Sequence, residues 1–296
     1  MSKNIYIASA ARTPVGSFQG SLSSLTAPEL GARAIKATLT QANIEESKIS
    51  EAIFGNVVGA GLKQAPARQA MRNAGLPDAC GATTINKVCG SGMKAIMLAT
   101  DLLQADNGET ILAGGMESMS NAPYLIPKAR AGLRMGHQEI QDSLFLDGLE
   151  DAETGGSMGS FAQNTADEYQ LTRQDMDAYA TQSVTRARRA IEEKSLESEI
   201  KPIEIGAETI CDDEQPGRAK LDKISSLRPA FKADGTITAA NSSSISDGAS
   251  SLILTSNENL LNTEPLAHIV GHATHSIHPS QFTIAPVGAI KKLIDK

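Results

Sequence analysis

The chain has 296 residues, of which 41% are hydrophobic and 21% are charged, and its formal net charge is −7. This composition is typical of a globular protein rather than a disordered chain, and the length suggests about two domains. No apolar run approaches the ~20 residues that span a bilayer, and the mildly acidic balance argues against bulk nucleic-acid binding.

The first residues lack the long apolar core and cleavage site of a secretory signal. The cysteines are odd in number and lack the spacing of a disulfide framework, which is typical of a reducing compartment. They are Cys80, Cys89 and Cys211. We therefore expect a cytoplasmic protein that binds neither nucleic acid nor membrane.

The first 118 residues alternate between strand-like and helix-like segments. Short apolar runs predict strands, and longer segments bracketed by Pro and Gly predict helices. The predicted elements are strands over 5–11, 52–58, 84–88 and 110–113, and helices over 26–41, 65–74 and 93–103. The first helix has the best-defined start, because Thr26 and Glu29 form a capping-box pattern. This alternation predicts a mostly parallel sheet with helices packed on it.

Strand signals are few between about 119 and 247, and we interpret this stretch as an insertion on the first domain. It contains a long, charged helix predicted over 171–195 and a polar loop over 212–217. Strand-like runs return at 251–255 and 267–271, and a last helix begins at 289.

Cys89 lies between a predicted strand and a predicted helix, with Gly90, Ser91 and Gly92 around the turn. The free N–H groups and positive dipole of a helix start favour a thiolate, and the glycines let a substrate approach the backbone. One hypothesis is therefore a nucleophile at the base of a pocket, on a central and buried helix. The alternative is an inert buried cysteine, which is common in protein cores.

Four ordered motifs resemble signatures of the thiolase family. The first, Asn-Lys-Val-Cys-Gly-Ser-Gly-Met-Lys-Ala, resembles the nucleophile motif of acetyl-CoA acetyltransferases. The four motifs lie at residues 86–95, 114–124, 227–231 and 238–249, and the likeness extends from 12–14 to 284–287. The resemblance implies an α/β protein with the thiolase-like layered α-β-α fold, a loop-domain insertion in the first half, and a second half that is largely absent.

The resemblance also implies a division into domains. Residues 1–118 plus 248–271 correspond to the N-terminal thiolase domain, 119–247 to a loop domain for CoA binding and tetramerisation, and 272–296 to the start of a truncated C-terminal domain. Thiolases carry further Asn-Glu-Ala-Phe, Gly-His-Pro and Cys-x-Gly-Gly segments, which do not occur in these 296 residues. We therefore expect this chain to match the first three quarters of a thiolase and, by itself, not to turn over acetyl-CoA.

In thiolases a cysteine attacks an acyl-CoA thioester, CoA leaves, and a second acetyl-CoA loses an α-proton and condenses with the acyl-enzyme. The resemblance implies that Cys89 is this nucleophile and that the chain is an acetyl-CoA C-acetyltransferase, reversibly forming acetoacetyl-CoA and CoA. Coenzyme A is then a substrate and product, and no cofactor is tightly bound. The alternatives are a 3-ketoacyl-CoA thiolase of fatty-acid β-oxidation, a 3-ketoacyl synthase-like condensing enzyme, and a non-catalytic CoA-binding protein.

Seven further residues match positions that bind the substrate or CoA in the family. They are Leu149, Met158, Arg218, Ala230, Phe231, Ala239 and Ser243. Ser243 matches the serine that contacts the pantetheine amide, and Arg218 offers a guanidinium fork for the nucleotide phosphates. Ser157 departs from the family, because many acetoacetyl-CoA thiolases have His before the pocket methionine.

The resemblance implies acyl-CoA partners and a homo-oligomer, either a dimer or a tetramer. Residues 124–136 resemble the protruding loop by which thiolase dimers join. His272, His275 and His278 are spaced by three, which scatters them over both faces of a strand-like segment, and the family uses no metal. We therefore expect no metal site.

Overall fold

The computed structural model describes residues 3–261 and 264–296. The chain divides into two compact units. The first unit comprises residues 1–148, 197–212 and 245–270, and the second comprises residues 149–196, 213–244 and 271–296. The family-based division at 118, 247 and 271 stays a prediction.

Strands and helices alternate along residues 3–118, as the sequence predicts. In the whole described chain the strands are β1 (Tyr6–Arg12), β2 (Gly16–Ser17), β3 (Glu51–Gly55), β4 (Gly81–Ile85), β5 (Thr110–Ser118), β6 (Tyr124–Leu125), β7 (Gln141–Asp142), β8 (Ile203–Ile205), β9 (Glu208–Ile210), β10 (Ser246–Thr255) and β11 (Ala267–His268). The α-helices are α1 (Ala27–Ala42), α2 (Pro66–Ala74), α3 (Ser91–Gln104), α4 (Met158–Glu168), α5 (Arg173–Glu192), α6 (Glu214–Arg218) and α7 (Ala285–Ile294). A π-helical turn spans Phe145–Leu149.

The first unit is built on a seven-stranded sheet in which the described strands run in the order β11-β1-β10-β5-β3-β4, with β2 also paired to β10. Strand β3 is parallel to β4 and β5, whereas β10 is antiparallel to β1, β2 and β5. The prediction of a mostly parallel sheet is therefore wrong. Helical crossovers make the β3–β4–β5 part parallel, but β10 arrives from a distant part of the sequence and inserts between β1 and β5 in the opposite direction.

Both faces of this sheet are buried, because side chains alternate along each strand. Ala52 and Phe54 of β3 belong to the apolar cluster formed with α1 and α2. Ile53, between them, belongs to a second cluster formed with Ala95, Ala99 and other residues of α3. Helices α1 and α2 therefore cover one face, and α3 covers the other.

Helix α1 starts where its sequence predicts. The backbone N–H of Thr26 donates to the Glu29 carboxylate at 2.8 Å, which confirms the capping box. This bond holds the pKa of Glu29 below its usual value. The helix ends at Ala42 and is capped by Asn43, which has a left-handed conformation (φ 51°).

The second unit contains the predicted long helix as α5, which begins after Thr172, whose side chain accepts a hydrogen bond from the N–H of Asp175. The prediction of a polar loop at 212–217 is partly wrong, because residues 214–218 form the single-turn helix α6. Arg188 holds this turn from α5 by donating to the carbonyl oxygens of Pro216 and Ala219. Among the described helices, none has the length and apolar character needed to cross a membrane.

Candidate active site

The carboxyl ends of three parallel strands meet in the first unit. Gly55 of β3 is in register with Ile85 of β4 on one side and with Gly115 of β5 on the other. Helix α3 begins a few residues after β4, with Gly90 as its N-cap. Ligands of α/β sheets bind preferentially at this edge, where strand ends and helix N-termini face the same space.

Glycines let α3 start directly on these strand ends. A β-carbon built on Gly55 would stand 2.5 Å from the β-carbon of Ser91 and 2.9 Å from the backbone nitrogen of Gly92. A β-carbon on Gly115 would stand 3.4 Å from the α-carbon of Gly92. The strand glycines therefore decide how closely the Cys89 turn approaches the sheet.

The structure places Cys89 in this turn with an exposed side chain. The interpretation that places Cys89 in the protein core is therefore wrong. The expectation of a buried helix is wrong for the first turn of α3, where Met93 is 72% exposed. Farther along α3, Ala95, Ala99 and Leu103 are buried in the core beside the sheet.

The residue before Cys89 has an unusual backbone conformation. Val88 lies in the left-handed region (φ 47°), which β-branched residues rarely adopt. Its N–H donates to the side-chain oxygen of Asn86 at 2.8 Å. Its carbonyl oxygen accepts from the Ser91 hydroxyl at 2.6 Å, and the same hydroxyl accepts from the N–H of Lys87 at 2.8 Å.

Glu117, near the end of β5, is a feature that the sequence analysis missed. Its carboxylate accepts hydrogen bonds from Asn56 Nδ2 and the N–H of Val57, both at 2.8 Å, and from the N–H of Val58 at 3.2 Å. Burial raises the pKa of Glu117, and Asp247 adds to this, although the backbone hydrogen bonds act in the opposite direction. A single acidic residue at the end of an apolar strand was the available signal.

The other predicted site residues all lie in the second unit. Phe231 lies against the first turn of α4, which begins at Met158. A β-carbon on Gly159 would stand 2.1 Å from Cζ of the Phe231 ring. Ala230, next to Phe231, is held by a hydrogen bond from its N–H to the carbonyl oxygen of Ile237 at 2.9 Å.

Ala239 and Ser243 are exposed on the loop that follows Thr238. Two amide side chains hold this loop. Gln163 of α4 accepts from the N–H of Thr236 at 2.9 Å and of Ile237 at 3.1 Å, and Asn241 accepts from the N–H of Thr238 at 2.7 Å.

The two remaining predicted site residues lie at the ends of short helical turns. Leu149 is half-buried at the end of the π-helical turn. Arg218 ends α6 with an exposed side chain, 3.8 Å from the Glu214 carboxylate. The structure thus brings Phe231 together with the Met158 turn, whereas Cys89 belongs to the other unit.

Metal-ligating residue types do not cluster in residues 3–261 and 264–296, where no group of three or more His, Cys, Asp or Glu could hold an ion. His272, His275 and His278 lie on a segment without regular secondary structure, so the strand-like interpretation of this region is wrong. The predicted strand over 267–271 is limited to Ala267–His268, which pairs with Ile7 and Tyr6 of β1.

Residues 5–258 match the family model described as "Thiolase, N-terminal domain". The chain belongs to the thiolase family. An acetyl-CoA acetyltransferase of Schizosaccharomyces pombe is 45% identical over an alignment that covers 98% of this chain and 75% of that protein. An acetyl-CoA acetyltransferase of Pseudomonas aeruginosa is 43% identical over 99% of this chain and 77% of its own length.

The α/β fold expected from the resemblance is confirmed by a solved structure. The crystal structure of a thiolase from Ascaris suum in complex with coenzyme A superposes with a TM-score of 0.94 at 38% sequence identity. The match covers 99% of this chain and 77% of that thiolase. This thiolase chain therefore spans about three quarters of the length of these relatives.

Proposed function

We propose that this thiolase is an acetyl-CoA C-acetyltransferase in which Cys89 carries the acetyl group. One observation carries the proposal. An exposed cysteine stands at the start of α3, on the carboxyl ends of β3, β4 and β5, in a chain 43% identical or more to acetyl-CoA acetyltransferases over nearly its whole length. The proposed reaction is reversible acetyl transfer between acetyl-CoA molecules, which forms acetoacetyl-CoA and CoA.

The geometry of the turn suits the acyl-transfer half of this reaction. The thiolate of Cys89 attacks the thioester carbonyl carbon, the carbonyl oxygen gains negative charge, and the thiolate of CoA then leaves. We assign the backbone N–H of Cys89 to this oxyanion, because it belongs to the same residue as the attacking sulfur and lies in the turn directly before the N-cap Gly90. The second half, removal of an α-proton from another acetyl-CoA, requires a positioned base. The Gly-His-Pro and Cys-x-Gly-Gly segments of the family do not occur in these 296 residues, so the proposal for this chain alone is confined to the acyl-transfer half.

We further propose that CoA is held by Leu149, Met158, Arg218, Ala230, Phe231, Ala239 and Ser243. All seven lie within residues 119–247, the proposed loop domain. The ring of Phe231 supplies apolar surface beside the Met158 turn, and the exposed guanidinium of Arg218 suits a phosphate group. CoA thereby enters as substrate and leaves as product, without a tightly bound cofactor.

We infer that the protein works as a homotetramer in the cytoplasm, in the acyl-CoA reactions of fatty acid metabolism. The segment between β6 and β7 has exposed apolar side chains, and exposed apolar patches are typical of surfaces that bind another protein chain. This supports a role of the segment in assembly. The exposed apolar side chains are those of Ile126, Leu133, Met135 and Ile140. The three cysteines are free thiols, which fits a reducing compartment.

Acetyl labelling tests the proposed function. The protein is incubated with isotope-labelled acetyl-CoA and digested, and the acetylated peptides are identified by mass spectrometry. We expect the label on Cys89, its loss in Cys89→Ala and its retention in Cys211→Ser. Label confined to Cys80 or Cys211, or none on Cys89, contradicts the assignment.

A further inference from the structure

In the turn before Cys89, Val88 has a left-handed backbone conformation that is unfavourable for its branched side chain. A β-branched residue with positive φ is an outlier, because the β-carbon crowds the following carbonyl oxygen. Such a conformation persists only where the surrounding contacts over-determine it. Val88 directly precedes Cys89, so its φ and ψ angles set the direction in which the thiol leaves the backbone.

Both peptide groups of Val88 are held by side chains. Asn86 accepts from its N–H at 2.8 Å, and Ser91 donates to its carbonyl oxygen at 2.6 Å. The Ser91 hydroxyl also accepts from the N–H of Lys87 at 2.8 Å, so it joins two successive peptide groups of the turn. A Val88 that left the left-handed region would lose these bonds.

The side chain of Ser91 is itself fixed. It is 4% exposed, and its β-carbon packs so close to the end of β3 that a β-carbon built on Gly55 would stand 2.5 Å from it. The backbone N–H of Ser91 also bonds the carbonyl oxygen of Val88, at 3.1 Å. The Ser91 side chain is therefore fixed at two points, because its β-carbon packs against the end of β3 and its hydroxyl bonds to the turn.

We propose that the Ser91 hydroxyl is a positioning group for Cys89, which it orients by holding Val88 in the left-handed conformation. The consequence for catalysis rests on the proposed function, whereas the geometric consequence does not. Ser91 acts through Val88 and does not itself touch the reacting atoms.

Removal of the hydroxyl leaves the N–H of Lys87 and the carbonyl of Val88 without this partner, and the turn relaxes. We expect Ser91→Ala to slow alkylation of Cys89 by iodoacetamide by about threefold to fivefold, because the anion of the sulfur is the reacting form and a displaced side chain loses the free N–H groups of the helix start that stabilise an anion. Asn86→Ala removes the acceptor of the Val88 N–H at an exposed position, so it should also slow the alkylation of Cys89.

The protein contains its own reference thiol. Cys211 is exposed and lies outside the turn, so the ratio of Cys89 to Cys211 alkylation, measured by peptide mass spectrometry, corrects for reagent and pH. The double variant Ser91→Ala with Val88→Asn tests the route, because Asn adopts the left-handed region more readily than Val. We expect the double variant to recover part of the lost ratio, which a general loss of stability would not produce.

Three outcomes overturn the proposal: an alkylation ratio in Ser91→Ala within twofold of the wild type, no recovery in the double variant, or an equal slowing of Cys211. The acetyl-labelling experiment keeps the two hypotheses apart. If wild-type Cys89 is alkylated but never acetylated, the proposed function fails and the positioning role stands. If Cys89 is acetylated but the alkylation ratio is the same in Ser91→Ala as in the wild type, the positioning role fails and the proposed function stands.

Discussion

Gly55, the last residue of β3, lies so close to Ser91 that a β-carbon built on it would stand 2.5 Å from the β-carbon of Ser91. We expect Gly55→Ala to lower the free energy of unfolding by about 1–3 kcal/mol, because over-packing forces neighbouring backbone to move. Urea unfolding measures this change. Gly81→Ala is the control, since a β-carbon there meets its nearest neighbour at 3.4 Å. Equal midpoints for both variants would argue against the close approach.

Gly159 sets the place of the Phe231 ring, because a β-carbon there would overlap the ring at 2.1 Å. If Phe231 lines the CoA site, Gly159→Ala should displace the ring and weaken CoA binding by about tenfold, equivalent to about 1.4 kcal/mol. Calorimetric titration with CoA measures this. The double variant with Phe231→Leu should bind more tightly than Gly159→Ala alone. Unchanged affinity in Gly159→Ala would remove Phe231 from the proposed site.

Cys80 should resist thiol reagents until the protein unfolds. It is buried, and burial raises its pKa to about 11, so at pH 8 little thiolate is present. We expect Ellman's reagent at pH 8 to titrate two thiols in the native protein and three in urea. In Cys80→Ser the native and unfolded counts should agree. Rapid titration of three thiols in the native wild type would contradict the buried position.

Glu117 should make stability depend on pH. Burial raises the pKa of this carboxyl group, so the native state binds its proton more tightly than the unfolded state does. The resulting stabilisation is present below the ordinary Glu pKa and is lost as pH rises through the raised value. We expect the unfolding free energy of the wild type, relative to Glu117→Gln, to decrease between pH 4 and pH 8 in urea titrations. A relative stability that increases with pH would contradict the direction of the shift.

The segment between β6 and β7 should control assembly. Deletion of residues 125–134 should convert the proposed tetramer to dimers, because it removes Ile126 and Leu133, two of the four exposed apolar side chains of the segment, and shortens the loop that carries the others. Light scattering after size-exclusion chromatography measures the mass. Leu171→Ser, at an exposed apolar residue of the second unit, is the control and should leave the mass unchanged. A wild type that is monomeric at all concentrations would contradict the proposal.

The sequence by itself determined the features that depend on neighbouring residues. The capping box at Thr26, the proline and glycine that bracket α2, and the position of Cys89 at a helix start follow from short-range rules. The ordered thiolase motifs identified the family for the same reason, because they are contiguous segments. These features were correct without knowledge of which segments pair in space.

Only the tertiary structure decided the features that join distant segments. Strand β10 inserts antiparallel beside β5, which extends β5 to Ser118, well past the predicted end at 113. Residues 214–218 form α6, whose single turn is held by Arg188 of α5. Val88 has a left-handed backbone conformation (φ 47°), although β-branched residues disfavour that region. Its conformation depends on Ser91 packed against Gly55, 36 residues earlier, so the geometry around Cys89 required the folded sheet.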